Sequence, residues 1–203
     1  MNLQDRKQLT HIRKLLARFE RLIEEHIICH RVLIIYEKSL NSFLPEIKTK
    51  TEVHVRCASP NDIKKIAANF GKKFEKTLLK RLEDNDLCFV AEGRKGEIAG
   101  HCWVAFQEIY LSEIDKKMEL TREEADLYDA FVFPEYRGKK IYQKMLEEIF
   151  RFLKKKHYMR AYGHALSNNI PSRRGIARVG YKPKKVVTLL RLFGLKIYIE
   201  KTF

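Results

Sequence analysis

The sequence predicts one mixed α/β domain, and three observations carry that prediction. Segments of strand period and segments of helix period alternate along the 203 residues. Two pairs of strand-like runs are joined by short glycine turns, as in hairpins. A third strand-like run, 126–133, passes through Pro134 and Gly138 into a long helical pattern.

The elements follow in order. Residues 4–28 place Leu9, Ile12, Leu16, Phe19, Leu22, Ile23 and Ile27 at helical spacing, a helix expected to pack on its own domain. A short apolar strand at 31–36 follows, so 1–50 reads as an N-terminal extension and 51–203 as the main domain. Residues 53–57 alternate like a strand. Ser59 and Pro60 open a helix as N-cap and first-turn proline, and a second helical stretch covers 71–82. Runs 87–92 and 97–107 form a hairpin across the turn 93–96. Residues 108–124 read as an acidic connection and 126–133 as a buried strand. The helix at 138–156 sets Ile141, Met145, Ile149 and Phe152 on one face. A strand at 157–166, a short helix at 170–178 and a hairpin of 186–192 with 195–199, turned near Gly194, complete the chain.

Composition narrows the class. Hydrophobic residues are 45% and charged residues 33%, the balance of a globular domain. The most apolar run, 186–199, is broken by Thr188, Arg191, Gly194 and Lys196, so no transmembrane segment is expected. The first residues lack the apolar stretch of a secretory signal. Cys29, Cys57, Cys88 and Cys102 stand apart and read as reduced thiols of a cytoplasmic protein. His26, Cys29 and His30 have no complementary ligand cluster elsewhere, so no metal is expected. Net charge is +15. Between residues 134 and 185 fifteen Lys and Arg stand against three Glu, a net +12. Such a field suits a polyanion: nucleic acid, a membrane surface or a phosphorylated ligand. Few aromatics interleave with these cations, so nucleic acid is not expected. Oligomeric state stays open, a homo-oligomer included.

The stretch from Phe131 to Ile141 carries the most chemistry. Pro134 has no amide hydrogen and ends the strand's ladder. Gly138 permits unusual backbone angles and close approach of a ligand. Amides around 138–141 then face outward at a helix start, where the dipole favours an anion. Arg137, Lys139 and Lys140 place three cations at that positive end, an inconsistency that a bound diphosphate resolves.

Val132, Pro134, Arg137 and Gly138 match the cofactor motif of the GNAT superfamily of N-acetyltransferases, whose strand ends in Val-x-Pro before Arg-Gly-x-Gly-x-Gly/Ala. A second block, Asn169 and Ser172 with Gly180 and Tyr181 eleven and twelve residues past the Asn, resembles that family at the same spacing. The resemblance covers about three-quarters of the chain. It implies a mixed, mostly antiparallel central sheet flanked by helices, with a gap between the strand ending at Phe133 and the strand after His157. It implies acetyl-CoA or a related acyl-CoA as co-substrate. The pantetheine arm would lie along Phe131, Val132 and Phe133. The diphosphate would lie on Arg137, Gly138, Lys139, Lys140, Ile141 and Tyr142, with Asn169, Ser172 and Arg173 near the arm. The motif's second and third small positions are Lys140 and Tyr142 here. Many members carry a Tyr general acid seven residues past the Asn, where this chain has Ile176; Tyr181, solvent or another group would take that role.

Transfer of an acyl group to an amine needs a group to take the amine's proton. Candidates are Asp126 and Asp129 on the central strand, and His101 on the preceding one. Trp103 shares the face of His101, and with Tyr128 is a candidate for lining the acceptor pocket. No cysteine has a Cys–His setting, so direct attack is expected. The rivals are a module that binds acyl-CoA without catalysis, and a nucleic-acid or anionic-surface binder.

Overall fold

The computed structural model describes residues 28–44 and 46–203; the helix expected over 4–28 lies outside them, except that Ile28 opens a strand. The described elements are β1 (Ile28–Ser39), β2 (Val53–Cys57), α1 (Pro60–Phe70), α2 (Lys72–Glu83), β3 (Leu87–Gly93), β4 (Ile98–Ala105), β5 (Glu108–Leu111), β6 (Lys116–Glu119), β7 (Glu124–Val132), α3 (Ile141–Lys155), β8 (Arg160–Leu166), α4 (Ile170–Arg178), β9 (Lys182–Leu192) and β10 (Leu195–Thr202). Eight strands form one sheet in the order β10-β9-β1-β8-β7-β4-β3-β2. Every pairing in it is antiparallel except β7 with β8. A parallel pair needs a crossover, and α3 supplies it.

Both faces of the sheet are covered. On one, Leu146, Ile149, Phe150 and Leu153 of α3 and Ile176 of α4 pack on Ile34, Val104, Ala125, Leu127 and Ala161. On the other, α1 and α2 bury Ile63, Ile66 and Leu78 against Val90 and Trp103. The rest of that second face is covered by β5 and β6. Residues 108–124, expected as an acidic connection, contain this hairpin, with Ile109, Leu111 and Ile114 buried on Leu33, Ile35, Val187 and Leu189. In the hairpin strands Glu108 and Glu119 are exposed while Ile109 and Leu111 alternate inward, the signature of a half-buried strand.

Three further expectations shift. The helix expected from 138 begins at Ile141, because Gly138 and Lys140 both have positive φ. The strand expected from 157 begins at Arg160, since His157 also has positive φ and closes the turn after α3. β7 is buried only over its first half; Asp129 and Ala130 are exposed.

Local chemistry accounts for the helix ends. Ser59 caps α1 in a reciprocal capping box with Asp62, and Arg56 pairs with Asp62 at 2.6 Å. The last turn of α3 carries Lys154 and Lys155, which suit its negative end. Glu147, fully buried on α3, receives the Ile47 amide at 3.0 Å, Lys144 at 3.1 Å and Arg151 at 2.7 Å. Burial opposes its ionised form, but these donors outweigh burial and hold its pKa below the usual value. The stabilisation is therefore complete above the unfolded Glu value of about 4.3 and fades as pH falls below it. Glu147→Ala should lower unfolding free energy by about 2 kcal/mol at neutral pH. In urea titrations the gap from the native sequence should narrow below about pH 4.

Candidate functional site

β7 and β8 pair only from Glu124 with Arg160 to Leu127 with Gly163. Beyond that point β8 stays with β1, as Leu166 opposite Leu33 and His164 opposite Ile35 show. β7 follows β4 instead, and does so through a bulge: Trp103 faces Tyr128 and His101 faces Phe131, leaving Asp129 and Ala130 opposite Cys102 alone. Asp129 takes φ +44 there. The extra residue bends β7 away, and a cleft of about 480 Å³ opens between the strands. Tyr128 to Val132 form one wall and His164 to Leu166 the other, with Asn169, Pro171 and Ser172 at the end. Tyr181, in the core beneath, donates its hydroxyl to the Tyr162 carbonyl at 2.9 Å beside the last paired residues.

A second cavity of about 240 Å³ adjoins the first at the start of α3, sharing Val132, Arg137, Tyr142 and Pro171 with it. Gly138 (φ +73) and Lys140 (φ +64) turn the chain into the helix. No side chain caps this end and no acidic residue stands in its first turn. Its leading amides thus face the cavity with Arg137, Lys140 and Arg178 around it. The start of α1, by contrast, is capped and acidic; an uncapped end with cations beside it favours an anion.

Arg137 lies folded across the cleft, its Nε donating to the Val132 carbonyl at 3.1 Å and its guanidinium 5.6 Å from the Phe131 ring. Lys139 stacks on Tyr136 and Phe133 on Phe70 and Phe131; neither lines the two cavities. Ile141 and Tyr142 line the smaller cavity, and Tyr142 both. The bulk of Tyr142 is accommodated by Gly175, where a Cβ would come within 2.7 Å of the ring. Burial pushes the Tyr142 phenol's pKa up, with Ser172 acting in the opposite direction. Asn169 caps α4, its Oδ1 receiving the Ser172 amide at 3.2 Å. Arg173 points away from the cleft, donating to the Tyr36 hydroxyl and the Ser167 carbonyl.

The proton-transfer candidates separate. Asp129 at the mouth pairs with Arg81 at 2.5 Å, and that guanidinium also lies over the Trp103 and Tyr128 rings. Tyr128 lines the cleft and donates to Asp86 at 2.5 Å. Burial raises Asp86 to about 6 despite that hydrogen bond. His101 and Trp103 do share a face, but it is the face under α1 and α2, where both are buried away from the cleft. His101 has no hydrogen-bond partner among the described residues, and burial pushes it down to about 4. Tyr181 is likewise buried, with burial raising its pKa. Ile176 packs in the core.

One residue at the site was missed. His164, on β8, lines the cleft with only 9% of its side chain exposed. Its Nδ1 is 3.4 Å from Oδ2 of Asp126, which is wholly buried on β7, and its Nε2 is 3.9 Å from Oε1 of Glu113. The 3.4 Å contact lacks hydrogen-bond alignment and becomes an ion pair when the imidazole is protonated. Burial disfavours the charged imidazole, yet Asp126 and Glu113 outweigh it and raise its pKa above the ordinary value.

The sheet splits at its one parallel pair, and an uncapped helix start stands beside the split. The acetyltransferase (GNAT) family model matches residues 55–181. The chain belongs to that family. No curated protein sequence matches it significantly. Among solved structures it is similar to a GCN5-related N-acetyltransferase from Sphaerobacter thermophilus, with 17% identity and TM-score 0.59, over 90% of this chain and 55% of that one. A functionally unknown conserved protein from Staphylococcus epidermidis gives 15% identity and TM-score 0.54, over 91% and 66%. The chain thus spans between half and two thirds of those structures, and the likeness is one of fold.

Two outcomes follow from this geometry. Gly175→Ala should force the Tyr142 ring to move and cost about 1–3 kcal/mol. The double variant with Tyr142→Ala should lose less than the sum of the single changes in thermal denaturation. His101 binds a proton more weakly folded than unfolded, so it withdraws stability as pH falls from about 6.5 toward 4. His101→Phe should flatten that part of the stability profile.

Proposed function

We propose that the protein moves an acetyl or similar acyl group from coenzyme A to an amine by direct attack. The observation that carries this reading is the continuity of the split between β7 and β8 with the uncapped, cationic start of α3. A long ligand with an anionic end and a slender apolar arm fits that path.

In this reading the pantetheine arm lies along Phe131 to Phe133 and bonds the strand's free backbone groups. Arg137 releases the Val132 carbonyl to the arm and turns to the diphosphate. The amides from Gly138 to Tyr142, with Lys139 and Lys140, hold that diphosphate. Asn169 and Ser172 stand near the thioester, and backbone amides at the bulge of β7 polarise its carbonyl. The exposed mouth beside Tyr128 and Asp129 admits the acceptor.

One observation favours a second reading, an acyl-CoA-binding module without turnover: the aliphatic, buried Ile176 where many family members place a phenol. Thiol release from acetyl-CoA with a panel of amines separates the two. For the shared binding step, calorimetry with CoA should show heat of binding and the melting temperature should rise. Gly138→Glu, whose position is open to solvent, should abolish that heat while far-UV dichroism stays native. Unchanged CoA affinity in this variant would refute the placement.

A further inference from the structure

The second face of the sheet is covered at one end by α1 and α2 and at the other by β5 and β6. Between these covers, Tyr128 of β7 and His164 of β8 line the cleft, Asp126 lies wholly buried behind His164, and the β5–β6 turn brings Glu113 to the same cleft. Both Asp126 oxygens and Nδ1 of His164 are buried without an aligned hydrogen bond. A wholly buried carboxylate in that state is unfavourable unless a cation stands beside it. Imidazolium supplies one such cation, and a ligand's ammonium supplies another. In a chain of net charge +15, the Glu113 carboxylate lines this cleft beside His164, while Asp129 is paired with Arg81; Glu113 is the anion that a cationic visitor meets.

We propose that His164 takes the proton from the acceptor amine, that Asp126 holds its imidazole from behind, and that Glu113 receives the amine as an ammonium ion. The acceptor class is therefore a primary alkylamine that arrives positively charged. This rests on the acyl-transfer reading above. Nδ1 faces Asp126, which leaves Nε2 turned toward the cleft and Glu113. One ammonium nitrogen placed off the 3.9 Å line between Nε2 and Glu113 Oε1 is within hydrogen-bond reach of both.

The protons and bonds balance. The ammonium gives its first proton to Nε2 of His164, which later passes it to solvent. The freed lone pair forms the C–N bond at the thioester carbonyl, and the C–S bond breaks as the carbonyl re-forms. The nitrogen's second proton is lost in that collapse, and one proton ends on the leaving sulfur. The products are the amide and free CoA thiol. His164 is the catalytic residue in this scheme; Asp126 is a positioning residue.

The groups around the imidazole set the sign of the pH dependence. Asp126 from β7 and Glu113 from the β5–β6 turn raise its affinity for a proton. Tyr128, Asp129 and Arg137 line the same cleft, Asp129 being paired with Arg81, and Arg31 donates to the Glu113 carbonyl. The base works unprotonated, so kcat/KM should rise with pH through a value above about 6.5.

The test follows thiol release from acetyl-CoA by the full chain with cadaverine, spermidine and a lysine-containing peptide, alongside calorimetry with CoA. At least one of these amines should be acylated. His164→Gln should keep CoA affinity, lose roughly 100-fold or more in kcat/KM, and lose the rising limb. Asp126→Asn should move that limb to lower pH, and Glu113→Gln should raise KM more than it lowers kcat. If His164→Gln fails to fold, the position of the wild-type limb and its displacement in Asp126→Asn decide. A His164→Gln variant within threefold of wild type, a limb that Asp126→Asn does not move, or CoA binding with none of the three amines accepted overturns the inference. Absence of CoA binding by the native chain overturns the acyl-transfer reading instead.

Discussion

The site depends on one interruption of backbone pairing. β7 and β8 are the sheet's single parallel pair, and they part after Leu127 and Gly163. The two strands have different partners beyond that point, β4 for one and β1 for the other. The bulge at Asp129 and Ala130 bends β7 without breaking its ladder to β4. A sheet whose centre opens has backbone groups facing an aqueous slot, and these are what an extended ligand can use. The helix crossover that parallel pairing requires then brings an uncapped helix start to the same place.

Packing around the split is conservative where it holds the walls and unusual where it meets the slot. Tyr181, Ile176 and Phe150 fill the space beneath it as ordinary core. Tyr142 occupies a position where the family motif has a small residue, and the absent Cβ of Gly175 makes the room. The departure at Tyr142 is thus accommodated across α3 and α4. The Arg81 guanidinium, set over Trp103 and Tyr128 and paired with Asp129, ties the bulge to α2 in the same way.

Much of this was legible in the sequence, and the failures have physical causes. The Pro–Gly turn, the Ser59 cap and both hairpins are local features, written in neighbouring residues. The β5–β6 hairpin was also local: Ile109 and Leu111 are buried while Glu108 and Tyr110 are exposed. Its acidic content drew attention from that alternation. His164 was different. Its partners Asp126 and Glu113 lie on other elements, and only the parallel register and the fold of the β5–β6 turn bring them together. The face shared by His101 and Trp103 was readable from strand period, but which helices cover that face was not.

The family match begins at residue 55 and ends at 181, yet the sheet does not respect those limits. β1 comes from before the matched stretch and lies between β8 and β9, and β9 and β10 come from after it. β1 is what His164 and Leu166 lean on along the far bank of the slot. A shortened chain cut at the homology limits would leave β8 as a bare margin, with nothing to keep its bank apart from β7. The matched module, in this molecule, borrows three of the sheet's eight strands from sequence outside itself.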